Sequence, residues 1–287
     1  MKKVGLIDYY LDNWHASNLP KWLRDETHDE YRICYAWGSF NPDASKSGSE
    51  YRKPSEVWCA EHNIELVGSA AEVVEKSDVL MVLSPNNPEQ HEELCREALA
   101  SGKRTYVDKT FAPDVVTAKR IFNMAKAGNT PMFSSSALRF SSELTNIKHE
   151  GICVISSRGP GVYEIYSIHQ IEMLVFLMGP AARRVMAIGN EAAPALAIEF
   201  SGKRFATMGH FGGECPFNLA ITYDNSENVL VHECTSFFPN FVRELVDFFE
   251  TGSIKVPENE TIAIIGIREK GFEALKNPGV WINCEID

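Results

Sequence analysis

The first half of the chain alternates short apolar runs with segments whose apolar residues recur at helical spacing. Strands that alternate with helices are joined by right-handed crossovers into a parallel sheet with helices on both faces. The alternation therefore predicts an α/β domain built on a doubly wound parallel sheet. The predicted strands are Lys3–Ile7, Arg32–Trp37, Ile64–Val67, Asp78–Leu83 and Arg104–Val107, and the predicted helices are His15–Leu23, Pro54–His62, Gly68–Glu75, Pro88–Ala100 and Pro113–Ala127.

The second half has a different pattern, in which apolar segments follow one another with turn residues between them. This indicates an antiparallel meander, and two helical segments near the end of the chain predict that one face of the sheet is covered. We therefore expect a first domain over residues 1–138 and an α+β domain with a mostly antiparallel open sheet over residues 139–287. The predicted strands are Ala195–Phe200, Arg204–Phe211, Phe217–Tyr223 and Asn228–Cys234, and the helices are Asn240–Thr251 and Thr261–Leu275.

The far face of this second sheet is predicted to carry a mixture of apolar and polar side chains. Ala220 and Thr222 alternate along one strand, and Leu230 and His232 along the next. A mixed sheet face of this kind suits contact with another copy of the chain. We expect a homodimer or a homotetramer.

Composition limits the class of protein. With 287 residues, 44% of them hydrophobic, the chain can bury the cores of two domains. A net charge of -11 with only short basic clusters argues against nucleic acid or anionic membrane as a partner. Seven cysteines without a CxxC pair argue against a disulfide framework or a zinc site, and no metal site is predicted. No apolar run has the length of a signal peptide or a membrane span, which predicts a soluble cytoplasmic protein.

Four segments resemble, in order and spacing, the Gfo/Idh/MocA family of oxidoreductases, and the resemblance covers nearly the whole chain. It implies a Rossmann-type dinucleotide-binding domain, NAD or NADP as cofactor, and a small substrate such as a carbohydrate or polyol. The segments are DVLMVLSPNNPEQHEELCREALASGKRTYVDKTFAPDVVTAKRIFNMA from Asp78, ALRF from Ala137, GPGVYEIYSIHQIEMLVFLMG from Gly159 and FVRELVDFFETGSIKVPENETIAIIGIREKGFEAL from Phe241.

The triplet Asp108-Lys109-Thr110 stands where the family usually has Glu-Lys-Pro. The resemblance implies that Lys109 is catalytic and reaches a cleft between nicotinamide and substrate, with Asp108 beside the substrate. An ammonium near a reacting hydroxyl group stabilises the developing alkoxide. The alternative is an exposed lysine on a βα loop.

The family's His-x-x-Asp corresponds here to His169 and Glu172. The resemblance makes His169 the catalytic acid or base, since imidazole titrates near neutral pH, and lets Glu172 orient it or bind a sugar hydroxyl. The family's acid four residues before the histidine is replaced by Ile165, and Ser167 replaces a glycine. The alternative is a histidine at a helix start that hydrogen-bonds the backbone.

Two further motifs belong to the resemblance. Ser84, Pro85 and Asn86 match a loop that packs against the nicotinamide half of the cofactor, although the histidine of that motif, His91, comes two residues late. They could equally form a helix-entry turn. Arg139 matches the Arg-Phe at the entry to the second domain and is predicted to bind a substrate oxygen or to form an interdomain salt bridge.

The connection Asp8–Asn13 lacks the glycines that let phosphate approach the backbone at a helix N-terminus. Aligned with the family, Asp8 and Tyr10 occupy two of its small-residue positions, so a carboxylate would face the pyrophosphate and a ring would crowd it. Trp37 stands where an acid normally binds the adenosine ribose, and a loop predicted between Gly38 and Arg52 follows it.

Two hypotheses follow. In the first, the chain is an NAD(P)-dependent oxidoreductase of a sugar, polyol or related hydroxyl compound, with a divergent phosphate loop. In the second, it is a non-catalytic relative that has lost dinucleotide binding and binds a small polar ligand or a partner protein. The pair Lys109 and His169 favours the first hypothesis, and the missing glycines favour the second.

Overall fold

The computed structural model describes residues 1–42 and 52–284 in two compact units. The first unit comprises Met1–Ser135 and Val242–Pro257, and the second comprises Ser136–Phe241 and Glu258–Asp287. In the structure the chain returns to the first unit at residues 242–257. The division expected from the sequence, 1–138 and 139–287, does not include this return. Most of the loop predicted between Gly38 and Arg52 lies outside the described residues.

The first unit is built on a six-stranded parallel sheet in the order β3-β2-β1-β4-β5-β6. Its strands are β1 (Lys2–Asp8), β2 (Tyr31–Gly38), β3 (Glu65–Leu66), β4 (Val79–Val82), β5 (Thr105–Val107) and β6 (Met132–Phe133). Its helices are α1 (Trp14–Thr27), α2 (Ser55–His62), α3 (Ala70–Lys76), α4 (His91–Ala100) and α5 (Val115–Ala127), with a 3-10 turn at Pro88–Gln90. All five predicted strands and five predicted helices are present, and the two-residue β6 was not predicted because it is too short for a period.

Aromatic side chains explain why residues 242–257 belong to the first unit. Phe248 packs edge-on against Phe133, with ring centroids 4.9 Å apart, and Phe249 stacks on Tyr31 at 5.9 Å. Arg104 Nη1 donates hydrogen bonds to the carbonyl oxygens of Phe249 and Glu250 at 2.5 and 2.7 Å. Such contacts between residues far apart in sequence leave no local pattern.

The second unit is built on a seven-stranded sheet in the order β12-β11-β7-β10-β9-β8-β13. Pairing is antiparallel except between β7 and β10, which are parallel. Its strands are β7 (Ile152–Gly159), β8 (Ala182–Ala187), β9 (Ala195–Phe200), β10 (Arg204–His210), β11 (Asn218–Tyr223), β12 (Asn228–Val231) and β13 (Ile282–Asn283). Its helices are α6 (Tyr163–Met178) and α8 (Glu258–Lys276), with 3-10 turns at Ala137–Phe140 and Ser201–Lys203, while α7 (Phe237–Thr251) crosses the boundary between the units.

The position of β7 shows that the predicted continuous meander is wrong. This strand lies between β10 and β11, so those two consecutive strands are not neighbours. Its sequence, ICVISSRG, mixes apolar and polar residues, and its buried positions, such as Ile155 and Ser157, do not form an apolar alternation. The fold class, a doubly wound parallel sheet followed by an α+β domain with a mostly antiparallel sheet, is confirmed.

One face of the second sheet is covered by helices, but of the two helices predicted to cover it only α8 does so, because α7 from Val242 onward belongs to the first unit. α6 contacts β7, β10 and α8. The opposite face carries exposed side chains, among them Val154 at 43% and Leu230 at 60% exposure. Among the described residues, every helix is too short or too polar to cross a lipid bilayer.

Candidate functional site

The carboxyl ends of β1, β4 and β5 meet where the strand order of the first sheet reverses. A reversal of this kind opens a crevice at the ends of the strands, which is the usual ligand position in a doubly wound sheet. Asp8 ends β1, Ser84 follows β4 and Asp108 follows β5. These residues are only 1%, 1% and 2% exposed. The crevice edge is therefore formed by buried polar and acidic residues.

The Asp8 carboxyl group points inward and is hydrogen-bonded within its own loop. Its Oδ1 accepts a hydrogen bond from the Tyr9 backbone N–H at 2.7 Å, and its Oδ2 accepts one from Asn13 Nδ2 at 2.8 Å. Burial raises the pKa of Asp8 well above its usual value, and Asp108 adds to this rise, while these two donors and the nearby Tyr10 backbone N–H oppose it. The structure corrects the expectation that Asp8 points outward at a phosphate.

Asn13 closes the other end of this loop and starts α1. Its Oδ1 accepts a hydrogen bond from the Ala16 backbone N–H at 3.0 Å, which makes it the N-cap. Its Nδ2 donates to Tyr10 O at 2.9 Å as well as to Asp8. No residue of Asp8–Asn13 has a positive φ, so the loop is built without the backbone conformation that would require glycine.

The segment after β2 is tied to the same loop. The Phe40 backbone N–H donates to Tyr9 O at 2.8 Å, and the two rings stack with centroids 5.5 Å apart. Arg52 lies over the ring of Tyr10 at 5.7 Å. Trp37, predicted at the ribose position, is half-buried near the end of β2, where it pairs with Ile7 of β1. The loop is thus fastened along its length by aromatic and backbone contacts.

Asp108 is the centre of a buried charged cluster. His15 Nδ1, in the first turn of α1, lies 2.9 Å from its Oδ2, and Tyr106 donates a hydrogen bond to its Oδ1 at 3.1 Å. Burial by itself raises the pKa of Asp108, but His15, Lys109 and His91 outweigh it, so the pKa lies below its usual value. Sequence analysis did not single out His15, because its partner lies on a strand far along the chain.

Lys109 is 6% exposed, which excludes the alternative of an exposed loop lysine. Its Nζ donates a hydrogen bond to Pro85 O at 3.3 Å, so the amine lies beside the turn that follows β4. The Lys109–Thr110 peptide bond is cis. The structure therefore brings together Lys109 and the turn of Ser84, Pro85 and Asn86, two motifs that the sequence analysis treated separately.

The turn after β4 is locked from inside. Ser84 Oγ donates to Asn87 O at 2.9 Å, and Asn86 is exposed. His91, at the start of α4, is completely buried, with Nδ1 3.0 Å from Thr110 O. Burial lowers the pKa of His91, and Lys109 lowers it further, although Asp108 and the two backbone carbonyls oppose this. A neutral His91 with its proton on Nδ1 therefore joins α4 to the segment after β5.

His169 lies in the second turn of α6, not at the start of that helix, which begins at Tyr163. Its Nδ1 lies 2.6 Å from the hydroxyl oxygen of Ser136, and its ring is half-buried beside Phe217 at 5.8 Å. Ser136 Oγ also accepts a hydrogen bond from the Leu138 backbone N–H at 3.2 Å, which fixes its position. His169 is therefore not a residue of the helix start.

Glu172 has a different partner from the one expected. Its Oε1 accepts a hydrogen bond from Arg139 Nε at 2.6 Å, and Arg139 also pairs with Glu260 of α8 through Nη2. Arg139 and Glu172 are 5% and 2% exposed. Burial alone would lower the pKa of the Arg139 guanidinium, but the two carboxylates raise it. This is a salt bridge within the second unit, and the predicted substrate role of both residues remains a prediction.

Together, these contacts form two side-chain pairs, Ser136 with His169 and Arg139 with Glu172. We call these two pairs the Ser136–His169 ladder. Ser136, the N-cap of the 3-10 turn, and Arg139 within that turn are three residues apart, and they meet His169 and Glu172, which are three residues apart in α6. Sequence analysis missed Ser136, although its distance from Arg139 equals that between His169 and Glu172. Within the described ranges, no group of three or more His, Cys, Asp or Glu side chains could hold a metal ion.

The β1–α1 loop does not fit the diphosphate of NAD or NADP in this conformation. A phosphate at a helix N-terminus needs N–H groups that are not already hydrogen-bonded within the protein. Here the N–H group of Tyr9 binds the Asp8 carboxyl group, that of Asn13 binds Leu11 O at 2.8 Å, and that of Ala16 binds Asn13 Oδ1. The side chain of Tyr10, packed under Arg52, occupies a position that is a glycine in the fingerprint.

Comparison with known proteins identifies the relatives of this chain. The family model for Gfo/Idh/MocA, an oxidoreductase family with an NAD-binding Rossmann fold, matches residues 45–134. The matched region begins after β1, α1 and β2, so it leaves out the Asp8–Asn13 loop. The uncharacterized oxidoreductase YhhX of Escherichia coli is 29% identical over 92 residues, which is 32% of this chain and 27% of that protein.

Solved structures show the same fold over the whole chain. An apo scyllo-inositol dehydrogenase from Lactobacillus casei is 14% identical, with a TM-score of 0.73 over 99% of this chain and 98% of that one. An oxidoreductase from Agrobacterium radiobacter, in complex with NAD+, L-tartaric acid and magnesium, is 13% identical with the same TM-score and coverage. These structures show a shared fold, and the family model over residues 45–134 confirms the resemblance to the Gfo/Idh/MocA oxidoreductases that the motifs indicated.

Proposed function

We propose that this chain is an oxidoreductase of a sugar, polyol or related hydroxyl compound, with NAD or NADP as the expected cofactor. The observation that carries the proposal is His169, whose Nδ1 is held by Ser136 while its ring stays half-buried. The family relationship and the inositol dehydrogenase among the similar structures support the reaction type and the polyol class.

The chemistry expected of His169 is proton transfer. When Nδ1 donates its proton to Ser136 Oγ, Nε2 becomes the basic nitrogen of the neutral ring and can accept a proton from a substrate hydroxyl. A positioned base of this kind contributes about 10²- to 10⁴-fold to the rate. Ser136 is a positioning residue, because it acts through His169.

Lys109 supplies positive charge at the crevice of the first unit. Its ammonium is kept inside the protein beside Pro85 and next to Asp108. An ammonium close to a reacting hydroxyl lowers the pKa of that hydroxyl and stabilises the alkoxide. The predicted site requires Lys109 and His169 at one substrate, and it remains a prediction, as do a cytoplasmic location and assembly into homodimers or homotetramers.

Activity on a panel of polyols and sugars tests the proposal. The pure protein is mixed with each compound and with NAD+ or NADP+, and formation of reduced nicotinamide is followed by absorbance. We expect His169→Asn and Lys109→Met each to lower kcat/KM by about 10²-fold or more. His28→Asn and Lys119→Met, which change exposed residues of the same types, are the matched controls and should keep the parent activity. Unchanged activity in His169→Asn would contradict the assignment.

A second candidate function is favoured by the β1–α1 loop, in which the Asp8 carboxyl group occupies hydrogen-bond donors of the loop itself. In this candidate the chain is a non-catalytic relative that binds a small polar ligand or a partner protein. Titration of the protein with NADH and NADPH, followed by nicotinamide fluorescence, separates the two. Saturable binding supports the oxidoreductase, and the absence of binding together with no turnover on the panel supports the non-catalytic relative.

A further inference from the structure

The β1–α1 loop uses its own hydrogen-bond donors. The N–H group of Tyr9 and the side-chain amide of Asn13 converge on one buried carboxyl group, that of Asp8. Backbone N–H groups at this place in a doubly wound sheet are the ones that bind phosphate oxygens. A carboxyl group and a phosphate offer the same kind of acceptor, oxygen atoms with several lone pairs.

The arrangement is held from both ends. Asp8 is anchored in β1, where it pairs with Gly38 of β2, and its carbonyl oxygen accepts a hydrogen bond from the Ser39 N–H at 3.0 Å. Asn13 is anchored as the N-cap of α1. Because Asp8 is 1% exposed, water cannot replace its oxygen atoms at the donors. The carboxyl group is therefore a fixed part of the loop.

We infer that the Asp8 carboxyl group takes the place of a phosphate in the β1–α1 loop, so that a diphosphate can bind this loop only by displacing it. The inference differs from simple repulsion or crowding. Repulsion alone would leave the N–H groups available, and crowding would be relieved by shortening Tyr10. It does not depend on the proposed activity, since it concerns only which group binds these donors.

Binding of inorganic pyrophosphate and of ADP to the full chain tests the inference. Asp8→Gly should lower the Tm without ligand, because the loop loses its internal acceptor. Pyrophosphate should then raise the Tm of this variant by about 3 °C or more at saturation, while the parent Tm stays unchanged. By calorimetry, the variant should bind pyrophosphate and ADP at least about ten-fold more tightly than the parent.

Three further variants sharpen the test. Asp12→Asn removes a charge from the same loop but leaves Asp8 in place, so it should behave as the parent. Tyr10→Ala removes the ring and should give no gain in pyrophosphate binding. Asp8→Ser keeps a polar side chain that is too short to bind both Asn13 and Tyr9, and it should show the gain of Asp8→Gly with a smaller loss in Tm, which covers the case in which the glycine variant does not fold.

Two results would overturn the inference. One is pyrophosphate binding by the parent as tight as by the Asp8 variants, and the other is a folded Asp8→Ser protein that gains no binding. Neither result removes the proposed oxidoreductase activity, which is judged by turnover. Tight binding by the parent would instead remove the main argument for the non-catalytic candidate.

Discussion

The β1–α1 loop and the Ser136–His169 ladder show two different uses of buried polar groups. In the loop, the Asp8 carboxyl group binds the donors of its own backbone, and the residues around it are tied down by Phe40 and Arg52. In the ladder, Ser136 holds one nitrogen of His169 and leaves the ring half-buried. The first arrangement satisfies its polar groups within the loop, whereas the second orients an imidazole ring that stays partly exposed.

The comparison of the loop with the ladder locates the region in which this chain differs from the family's motif. The family match begins after the β1–α1 loop, and the fold is shared over the whole chain. The segment that would bind a diphosphate is therefore the part in which fold similarity tells least about function. Lys109 and His169 stand at the motif positions that the resemblance assigns to the substrate site, so this part and the loop can be tested separately.

The largest effect is expected from breaking the ion pairs of Arg139 with Glu172 and Glu260. Arg139→Met leaves the buried Glu172 and the half-buried Glu260 without their cation, which costs about 3 kcal/mol of the free energy of unfolding. Chemical denaturation measures this loss. Arg120→Met, which breaks an exposed pair with Glu92, is the control and should cost about 1 kcal/mol or less. Equal effects of the two variants would show that burial does not decide the strength of the ladder.

The contact between Ser136 and His169 should matter for catalysis more than for stability. Ser136→Ala removes the hydroxyl that fixes His169 Nδ1, so we expect kcat/KM to fall about ten-fold and the pH–rate profile to move, with a change in stability of about 1 kcal/mol. Ser136→Thr keeps the hydroxyl group and should restore most of the activity. A loss of stability without any change in the pH profile would contradict the positioning role.

The first unit should lose stability as the pH falls. His91 is buried with a lowered pKa, so it stays neutral in the folded state while the unfolded chain takes up a proton below its ordinary pKa of about 6.5. The unfolded state then binds more protons, and stability decreases as the pH falls from 7 through this value. Urea denaturation of the parent and of His91→Asn at several pH values measures the slope. The slope should be smaller in the variant, and an identical slope would assign it to another group of the first unit, such as His62, whose pKa is lowered by burial too.

The open face of the second sheet gives the smallest expected effect on the free energy of unfolding. Leu230 and Val154 are exposed on neighbouring parts of this face, and we propose that a second copy of the chain covers them. Leu230→Lys should shift the mass measured by light scattering toward that of a monomer. Val116→Lys, on an exposed position of α5, is the control and should leave the mass unchanged. A parent protein that is already monomeric at micromolar concentration would contradict this proposal.

Local patterns were enough to predict most of the elements. The five predicted strands of the first sheet and the four of the second are present, because each has its own apolar run or alternation and its own bounding turn. The two-residue strands β6 and β13 were missed because they have no period of their own, whereas β3, equally short, was predicted as part of the longer segment Ile64–Val67. β7 was missed because its buried positions include Ser157, and its insertion between β10 and β11 converted a predicted meander into a mixed sheet.

The sequence by itself determined the alternation of elements, the family motifs and the chemical types of Lys109 and His169. Tertiary structure decided the partners: His15 for Asp108, Ser136 for His169, and Arg139 for Glu172. It also turned Asp8 inward, which no local pattern indicates, because Asn13 is placed by the start of α1. The physical reason is that periodicity and turn chemistry act over a few residues, whereas the partner of a buried polar group depends on which elements the fold brings within hydrogen-bonding distance.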